Sequence, residues 1–228
     1  MKTKPKLQKV KKIGLTVLAA TVITGTGLVY KNFVDPYEPI DTVVDGDTFF
    51  LKNNRQAVRL YSINAPELNH CGGLAAQARL ENLLSKKKVQ LKDPFVDHFG
   101  RIVALAYVDG KLINEILLKE GVVAYDGHPG GAKEAMYAAH DYAKSKKLGI
   151  YSPECTQELP PDPKCAIKGN NDQDRNEKVY LRPDCPYYSI VIVRKFEGDD
   201  WFCSEKEAKQ AGFTISPACS MGHNRKSL

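Results

Sequence analysis

Five short apolar runs lie between residues 41 and 108, and they limit the folds available to this chain more than any other feature. They are rich in Val, Leu, Ile and aromatic residues, as strands are, and they cover 41–45, 48–52, 57–63, 88–92 and 101–108. The sequences KNNR (52–55) and VDGK (108–111) are typical of tight turns next to such runs. Five short strands joined by tight turns favour a sheet that curls into a small barrel.

Three helical segments accompany these strands. Apolar residues recur at helical spacing near 74–86, 112–120 and 132–147. Gly121 is suited to end the second helix, and lysines in the last turn favour the end of the third. The order of strands and helices predicts an α+β domain over 41–152.

The formal net charge of +6 is confined to the N-terminus. Residues 1–12 contain six lysines and no acid, and removing those six from the 33 basic residues leaves 27 against 27 acidic ones. The net charge therefore indicates no partner for the rest of the chain.

Residues 13–30 carry no charge, and these eighteen residues would span roughly 27 Å as a helix. With the lysines before them, they predict an uncleaved signal anchor over 1–30, with a linker at 31–40. The rest of the chain is then expected outside the cytoplasm, held to the membrane. Two alternatives stay open, a cleaved signal peptide that releases a secreted protein and a buried core helix.

The composition changes after Tyr151. Four prolines between 152 and 165 predict a linker at 153–165, followed by a small α+β unit over 166–228. This unit contains the strand-like sequences KVYL and YYSIVIV, and Ser204 with Glu207 predicts a capping box at a helix start. Because so short a unit buries little core, we expect disulfides to stabilise it.

The six cysteines form an even set, which is typical of disulfides in an exported protein. They are Cys71, Cys155, Cys165, Cys185, Cys203 and Cys219. The chain has no C-x-x-C motif, and spacings of 20, 18 and 16 positions among the last four disfavour a zinc knuckle. Six cysteines allow fifteen pairings, so the sequence leaves the connectivity open.

Three motifs place charged residues where the strand pattern predicts apolar ones. Asp-Gly-Asp-Thr at 45–48 interrupts a strand, Arg59 begins the apolar run that leads to Pro-Glu at Glu67, and Arg101 follows Gly100 in DHFGR. Taken alone, each motif is more typical of ordinary structure: a turn for Asp-Gly-Asp, a helix start for Pro-Glu, and a solvated strand end for each Arg.

Together, in this order and spacing, the motifs resemble the staphylococcal nuclease (thermonuclease) family. DGKLINEILLKEG at 109–121 is also similar to the family's segment before its last helix. The resemblance covers 40–152 and implies a five-stranded OB-type β-barrel with three helices. It further implies calcium-dependent hydrolysis of phosphodiester bonds in DNA and RNA that leaves 3′-phosphate ends.

The resemblance also implies the roles of individual residues. Calcium would bind Asp47, Asn64 and the backbone carbonyl of Ala65, in line with the preference of this ion for oxygen ligands. Glu67 would be the general base for the attacking water, and Arg59 and Arg101 would bind the phosphate through planar guanidinium groups.

Three positions depart from the family pattern. Asn64 stands where the family has an Asp ligand, so we expect weaker calcium binding. His98 and Phe99 stand where the family has Lys and Tyr, which changes the expected nucleotide contacts. Phe99 and Tyr125 are the candidate substrate contacts, Tyr125 by stacking on a base, with a structural role in the core as the alternative for Tyr125.

Exported relatives with cysteines in similar places imply a Cys71–Cys155 bridge. The C-terminal unit is distantly similar to the metal-binding head of the Ada DNA-repair protein, but Leu181 replaces a His of that pattern. For this unit we prefer a Cys185–Cys203 disulfide, with Cys165–Cys219 as the second. The remaining histidines occur singly and are expected at the surface: His70, His128, His140 and His223.

We therefore expect a monomeric, membrane-anchored, calcium-dependent nuclease with DNA or RNA as substrate. The alternative from another class is a non-catalytic nucleic-acid-binding module of the same fold. The presence of Asp47, Arg59, Glu67 and Arg101 together favours the enzyme.

Overall fold

A computed structural model describes residues 37–127, 131–172 and 175–221. The signal anchor expected over 1–30 lies outside these residues, as do His128 and His223, so those expectations stay predictions. Among the described helices, none has the length and apolar character needed to cross a membrane.

The first part of the chain alternates strands with helices, as the apolar pattern predicts. The strands are β1 (Glu38–Val43), β2 (Thr48–Leu51), β3 (Ala57–Leu60), β4 (Ile63–Asn64), β5 (Lys88–Val96), β6 (Ile102–Val108), β7 (Lys111–Leu112) and β8 (Ala124–Tyr125). The helices are α1 (Gly73–Leu84), α2 (Ile113–Glu120) and α3 (Lys133–Ser145), followed by a 3-10 turn at Gly149–Tyr151.

Five of these strands close into a mixed barrel. β1 pairs antiparallel with β2 and β5, β2 with β3, and β5 with β6, while a parallel pairing of β3 with β6 closes the ring. Phe49, Val58 and Leu60 are fully buried in a core that also contains Leu80 of α1 and Leu117 of α2. The predicted five-stranded barrel with helices is thereby confirmed.

The ends of two elements follow from local chemistry. β1 stops at Val43 because the N–H groups of Val44 and Asp45 donate back to the carbonyl of Thr48, at 2.8 and 3.4 Å, and form a turn. Helix α2 ends where Gly121 adopts the left-handed conformation and its N–H donates to the carbonyls of Leu117 and Leu118, as predicted.

The region after Cys155 forms a second, smaller sheet. Its elements are β9 (Thr156–Gln157), β10 (Ile167–Asp172), β11 (Glu177–Leu181), β12 (Val193–Arg194), β13 (Asp200–Phe202), β14 (Thr214–Ile215), α4 (Glu205–Gln210) and α5 (Pro217–Met221). The sheet order is β13-β10-β11-β14, and β9 pairs separately with β12. The Ser204 hydroxyl accepts from the Glu207 N–H, as predicted for the cap of α4. The Glu207 carboxylate accepts from the Cys203 N–H, one residue before the N–H of a standard capping box.

The strand expected at YYSIVIV (187–193) is wrong over most of its length. This stretch instead contains a 3-10 turn at Tyr188–Ile190, and only its last residue belongs to β12. The buried ammonium of Lys168 donates to the carbonyls of Tyr188 and Val191. Because a buried lysine takes these carbonyls, they are not available to a strand ladder.

The disulfide predictions are correct for one bridge and wrong for two. Cys71 is bonded to Cys155, as expected. The bridges in the C-terminal region join Cys165 to Cys203 and Cys185 to Cys219, and not Cys185 to Cys203 and Cys165 to Cys219. Cys203 lies just after β13, whose partner β10 follows Cys165 closely, so strand pairing brings these two residues together.

Candidate active site

The Asp-Gly-Asp sequence is the turn between β1 and β2, and it fits closely against two other parts of the site. A Cβ on Gly46 would lie 2.5 Å from the Cβ of Ala76 in α1 and 2.8 Å from the Cβ of Ala65. The Asp45 carboxylate accepts the N–H of Asp47 at 3.0 Å and shapes the turn. Glycine therefore stands where the Cβ atoms of Ala76 and Ala65 both approach the turn backbone.

Asp47 is a buried carboxylate held by three neighbours, with only 2% of its surface exposed. One oxygen accepts from the Thr48 hydroxyl at 2.9 Å and from the Arg59 guanidinium at 2.5 Å, and the other accepts from the Ala65 N–H at 2.7 Å. Burial raises the pKa of Asp47 to about 6, and the charge of Arg59 opposes this rise. The neighbouring groups thus offset only part of the cost of burying the negative charge of Asp47. A further cation nearby would favour the ionised form of this carboxylate.

Arg59 links the predicted ligands to one another. It lies in β3 opposite Thr48, and its guanidinium also donates to the Asn64 side-chain oxygen at 2.9 Å and to the Ile63 carbonyl at 3.4 Å. Asn64 lies in β4, whose partner is β8. Asp47, Asn64 and Ala65 are therefore brought together in one hydrogen-bonded network.

The Asp47 and Asn64 oxygens of this network, together with the carbonyl of Ala65 expected from the family resemblance, are of types that suit a hard cation. One carboxylate, one amide oxygen and a backbone carbonyl are ligand types that calcium accepts, with water and substrate completing the shell. No group of three or more His, Cys, Asp or Glu in the described residues is arranged to hold a metal. A metal at this site would depend on the mixed set of carboxylate, amide and carbonyl oxygens.

Glu67 lies at the start of a loop, residues 67–72, that we call the Glu67 loop. Its side chain is exposed, and its backbone carbonyl accepts the N–H of His70 at 2.8 Å. His70 was expected at the surface, but it is half-buried, and its Nδ1 is enclosed without a hydrogen-bond partner in the described residues. His140 was also expected at the surface and is also half-buried. Its ring packs beside Tyr125, and its Nδ1 lies within hydrogen-bond distance of the Tyr151 hydroxyl.

Arg101 lies near Arg59 because their strands are neighbours. Arg59 is opposite Val103 in the parallel pairing of β3 with β6, and Arg101 precedes Val103 by two residues. Two residues of strand advance about 7 Å. The backbone positions of Arg59 and Arg101 are therefore close together on neighbouring strands of the barrel.

Asp97 is a functional candidate that the sequence analysis missed. Its carboxylate accepts the backbone N–H of Arg101 at 2.9 Å and the Arg101 Nε–H at 2.9 Å. Burial acts to raise the pKa of Asp97, but these hydrogen bonds and the charge of Arg101 outweigh it and leave the pKa lowered. The only signal in the sequence is the i,i+4 spacing of Asp97 and Arg101 around a glycine turn.

The predicted substrate contacts differ in exposure. Phe99 is 70% exposed, and the Arg101 guanidinium lies 5.1 Å from its ring centre. Tyr125 packs partly against the barrel core, its hydroxyl is buried without a hydrogen-bond partner among the described residues, and burial raises its pKa. Roles for both residues in substrate binding stay predictions.

The sequence that forms this site is similar to sequences of known proteins. Residues 57–153 match the family model described as staphylococcal nuclease homologue. The chain is 33% identical over 130 residues to the micrococcal nuclease of Shigella flexneri, a match that covers 51% of this chain and 74% of that protein.

Two relatives come from Bacillus subtilis strain 168. The SPbeta prophage-derived endonuclease YokF is 38% identical over 127 residues, which are 50% of this chain and 43% of the relative. Endonuclease YncB is 36% identical over 127 residues, which are 50% of this chain and 60% of the relative. The chain thus spans less than two thirds of the length of these two relatives.

The family model ends before the C-terminal region begins. The similarity of that region to the Ada head therefore stays a prediction. All six cysteines are in disulfides, so none offers a thiolate to zinc.

Proposed function

The chain belongs to the staphylococcal nuclease family, and from this premise we propose that it is a calcium-dependent nuclease. Its substrates would be the phosphodiester bonds of DNA and RNA, and its products would carry 3′-phosphate ends. The observation that most supports the proposal is the network in which Arg59 joins the side chains of Asp47 and Asn64.

The side chains of the protein supply most of the proposed chemistry. Arg59 and Arg101 bind the scissile phosphate through paired N–H groups and neutralise charge that develops on its oxygens. Glu67, exposed at the start of its loop, takes a proton from the attacking water. The water oxygen bonds to phosphorus as the bond from phosphorus to the 5′ oxygen breaks, the released 5′ oxygen takes a proton from solvent, and the phosphate stays on the 3′ oxygen.

Calcium bound by Asp47, Asn64 and the Ala65 carbonyl would polarise a phosphoryl oxygen. We assign the polarisation of the phosphoryl oxygen to calcium and not to the arginines, because the Arg59 guanidinium also donates hydrogen bonds to Asp47 and Asn64.

One assay tests the enzyme and the metal together. The full chain is incubated with single-stranded DNA, duplex DNA and RNA, with millimolar calcium and then with an excess of chelator. We expect cleavage with calcium only, and 3′-phosphate ends on the fragments. Binding without cleavage would show a non-catalytic module, and cleavage that persists with chelator would refute the metal assignment.

Glu67→Gln tests the general base against a matched control. We expect kcat to fall by about 100-fold or more, within the range for loss of general base catalysis. Glu81→Gln removes the same charge from an exposed position on α1 and should leave kcat unchanged. Equal rates for the two variants would refute the role of Glu67.

We also propose that the protein acts outside the cytoplasm. The support is that all six cysteines are paired, since disulfides persist in oxidising compartments. Separation of membrane, soluble and extracellular fractions tests this, and a reduced protein confined to the cytoplasm would contradict it.

A further inference from the structure

Residues 193–199 of the C-terminal region lie directly against the Glu67 loop. The Lys195 carbonyl accepts the N–H of Cys71 at 3.4 Å, and the Lys195 N–H donates to the Cys155 carbonyl at 2.8 Å. Cys71 and Cys155 are themselves joined by the disulfide. The backbone of one residue of the 193–199 segment thus bonds to both ends of the bridge that holds the Glu67 loop.

A second contact lies at Gly198, where the segment approaches the His70 ring. A Cβ on Gly198 would stand 2.7 Å from His70 Cε1 and 2.9 Å from the side-chain nitrogen of Asn171. Gly198 also has a φ of +89°, a conformation that residues with a side chain rarely adopt. The half-buried side chain of His70 is therefore enclosed by the backbone of the C-terminal region.

The 193–199 segment is itself held firmly. The buried carboxylate of Asp199 accepts the N–H of Arg194 at 2.9 Å and the N–H of Asn171 at 2.7 Å. The Asn171 side chain donates to the Glu197 carbonyl at 2.7 Å. Because these bonds tie the segment to β10, it can transmit the position of the smaller sheet to the Glu67 loop.

The loop is confined on its other side by α1. A Cβ on Gly73 would overlap the carbonyl of Glu67, so the first turn of the helix lies against the backbone of the proposed base. Phe196, only 6% exposed, packs with Ile150 and Cys155 under the same loop. The Glu67 loop thus contacts α1 at Glu67 and the C-terminal region at His70 and Cys71.

We propose that the C-terminal region is a positioning element for Glu67, with Gly198 as the residue that sets the distance between the two parts. This inference rests on the proposed function for the role of Glu67. A loop that carries a general base must hold it within hydrogen-bond reach of the attacking water, and small displacements cost rate steeply. The region beyond the family domain therefore acts on the rate of cleavage, separately from the arginines that bind phosphate.

Two glycines provide a matched test in the full chain. Gly198→Ala places a methyl group against His70. Gly212→Ala introduces the same backbone strain, since its φ is +87°, but its Cβ would meet nothing within 4 Å. Steady-state kinetics with a DNA substrate at saturating calcium are compared for the two variants and the unsubstituted chain.

We expect Gly198→Ala to lower kcat by about 10- to 100-fold, as for displaced catalytic groups, with KM changed by less than about threefold. Gly212→Ala should lose less thermal stability, since it carries the backbone strain without the steric conflict, and it should keep kcat. Adding His70→Ala to Gly198→Ala removes part of the steric conflict and should restore part of the lost kcat. Equal kcat values for the two alanine variants would overturn the proposal.

Hydrogen–deuterium exchange separates this inference from the proposed function. Amides of the Glu67 loop should exchange faster in Gly198→Ala than in Gly212→Ala. An unsubstituted chain without nuclease activity would refute the proposed function. The exchange result would still show whether residues 193–199 hold the Glu67 loop in place. Unchanged exchange in residues 67–72 would overturn the positioning role.

Discussion

At the scale of single residues, the site is governed by how few charges surround one buried carboxylate. The Asp47 carboxylate accepts hydrogen bonds from Arg59 and from the Ala65 N–H. The Asn64 side chain, which also accepts from Arg59, adds an oxygen without adding negative charge. Two carboxylates would attract a divalent cation more strongly than a carboxylate and an amide. Under the proposed calcium dependence, the identity of residue 64 should set the calcium concentration for half-maximal activity.

Asn64→Asp is expected to lower the calcium concentration for half-maximal activity by about tenfold, or about 1.4 kcal/mol in binding. Calcium titrations of activity and isothermal calorimetry measure the change. Asn69→Asp adds the same charge to the exposed Glu67 loop and should shift the midpoint much less. An unchanged midpoint in Asn64→Asp would refute the ligand assignment.

Asp97→Ala is expected to lower kcat/KM by about tenfold, because Arg101 loses the carboxylate that orients it. Asp109→Ala is the control, since Asp109 is exposed and pairs with Lys87. An equal loss in the control would contradict the role of Asp97.

The same pair gives a prediction for pH. Because the pKa of Asp97 is lowered in the folded protein, its stabilising contribution is present above the unfolded value of 3.8 and is lost as the pH falls through the lowered value. The variant should therefore show a smaller fall in unfolding free energy on acidification than the unsubstituted chain. Urea unfolding at pH 7 and below pH 4 measures this difference.

At the scale of elements, the apolar periodicity of the sequence is sufficient to predict the barrel strands and the three helices. The helices predicted at 74–86, 112–120 and 132–147 are found at Gly73–Leu84, Ile113–Glu120 and Lys133–Ser145. The pairing of β4 with β8, which fixes Asn64, could not be predicted because two-residue strands have no measurable period. The Asp97–Arg101 pair was missed for a related reason, since it depends on the geometry of a turn.

Gly46→Ala tests how closely the β1–β2 turn must approach α1. The added methyl group would meet the Cβ atoms of Ala76 and Ala65, so we expect a loss of about 1–3 kcal/mol in unfolding free energy and weaker calcium binding. Adding Ala76→Gly removes the nearer contact and should recover calcium binding, although glycine in a helix costs about 1 kcal/mol. Calcium binding unchanged in the single variant would refute the link between the turn and the site.

At the scale of the whole molecule, disulfides supply stability that the small C-terminal core does not. That core contains few large side chains, chiefly Tyr180, Phe202 and Phe213. Its cysteine pairing could not be predicted, because the pairing depends on which strands are neighbours and not on spacing along the chain. The Cys71–Cys155 bridge could be predicted because exported relatives have cysteines in similar places. The other four cysteines lie beyond the family domain, where no such relatives guided the prediction.

Removing one of these bridges should destabilise the protein measurably. Cys185→Ala with Cys219→Ala opens a loop defined by a separation of 34 residues, and chain entropy predicts a loss of about 4 kcal/mol. Urea unfolding under oxidising conditions measures the loss. The difference between the variant and the unsubstituted chain should shrink when both are reduced, and a difference that persists in full would assign the effect to packing.

The two C-terminal bridges interleave, since each encloses one cysteine of the other. During synthesis thiols appear in chain order, and Cys165 meets Cys185 before its native partner Cys203 exists. Oxidation in chain order would therefore form a non-native Cys165–Cys185 bridge, which exchange through a mixed disulfide would convert to the native pairs. Cys71 meets its native partner first, because Cys155 is the next cysteine. We therefore expect the Cys71–Cys155 bridge to form without disulfide exchange, and the C-terminal bridges to mature faster with a thiol–disulfide isomerase.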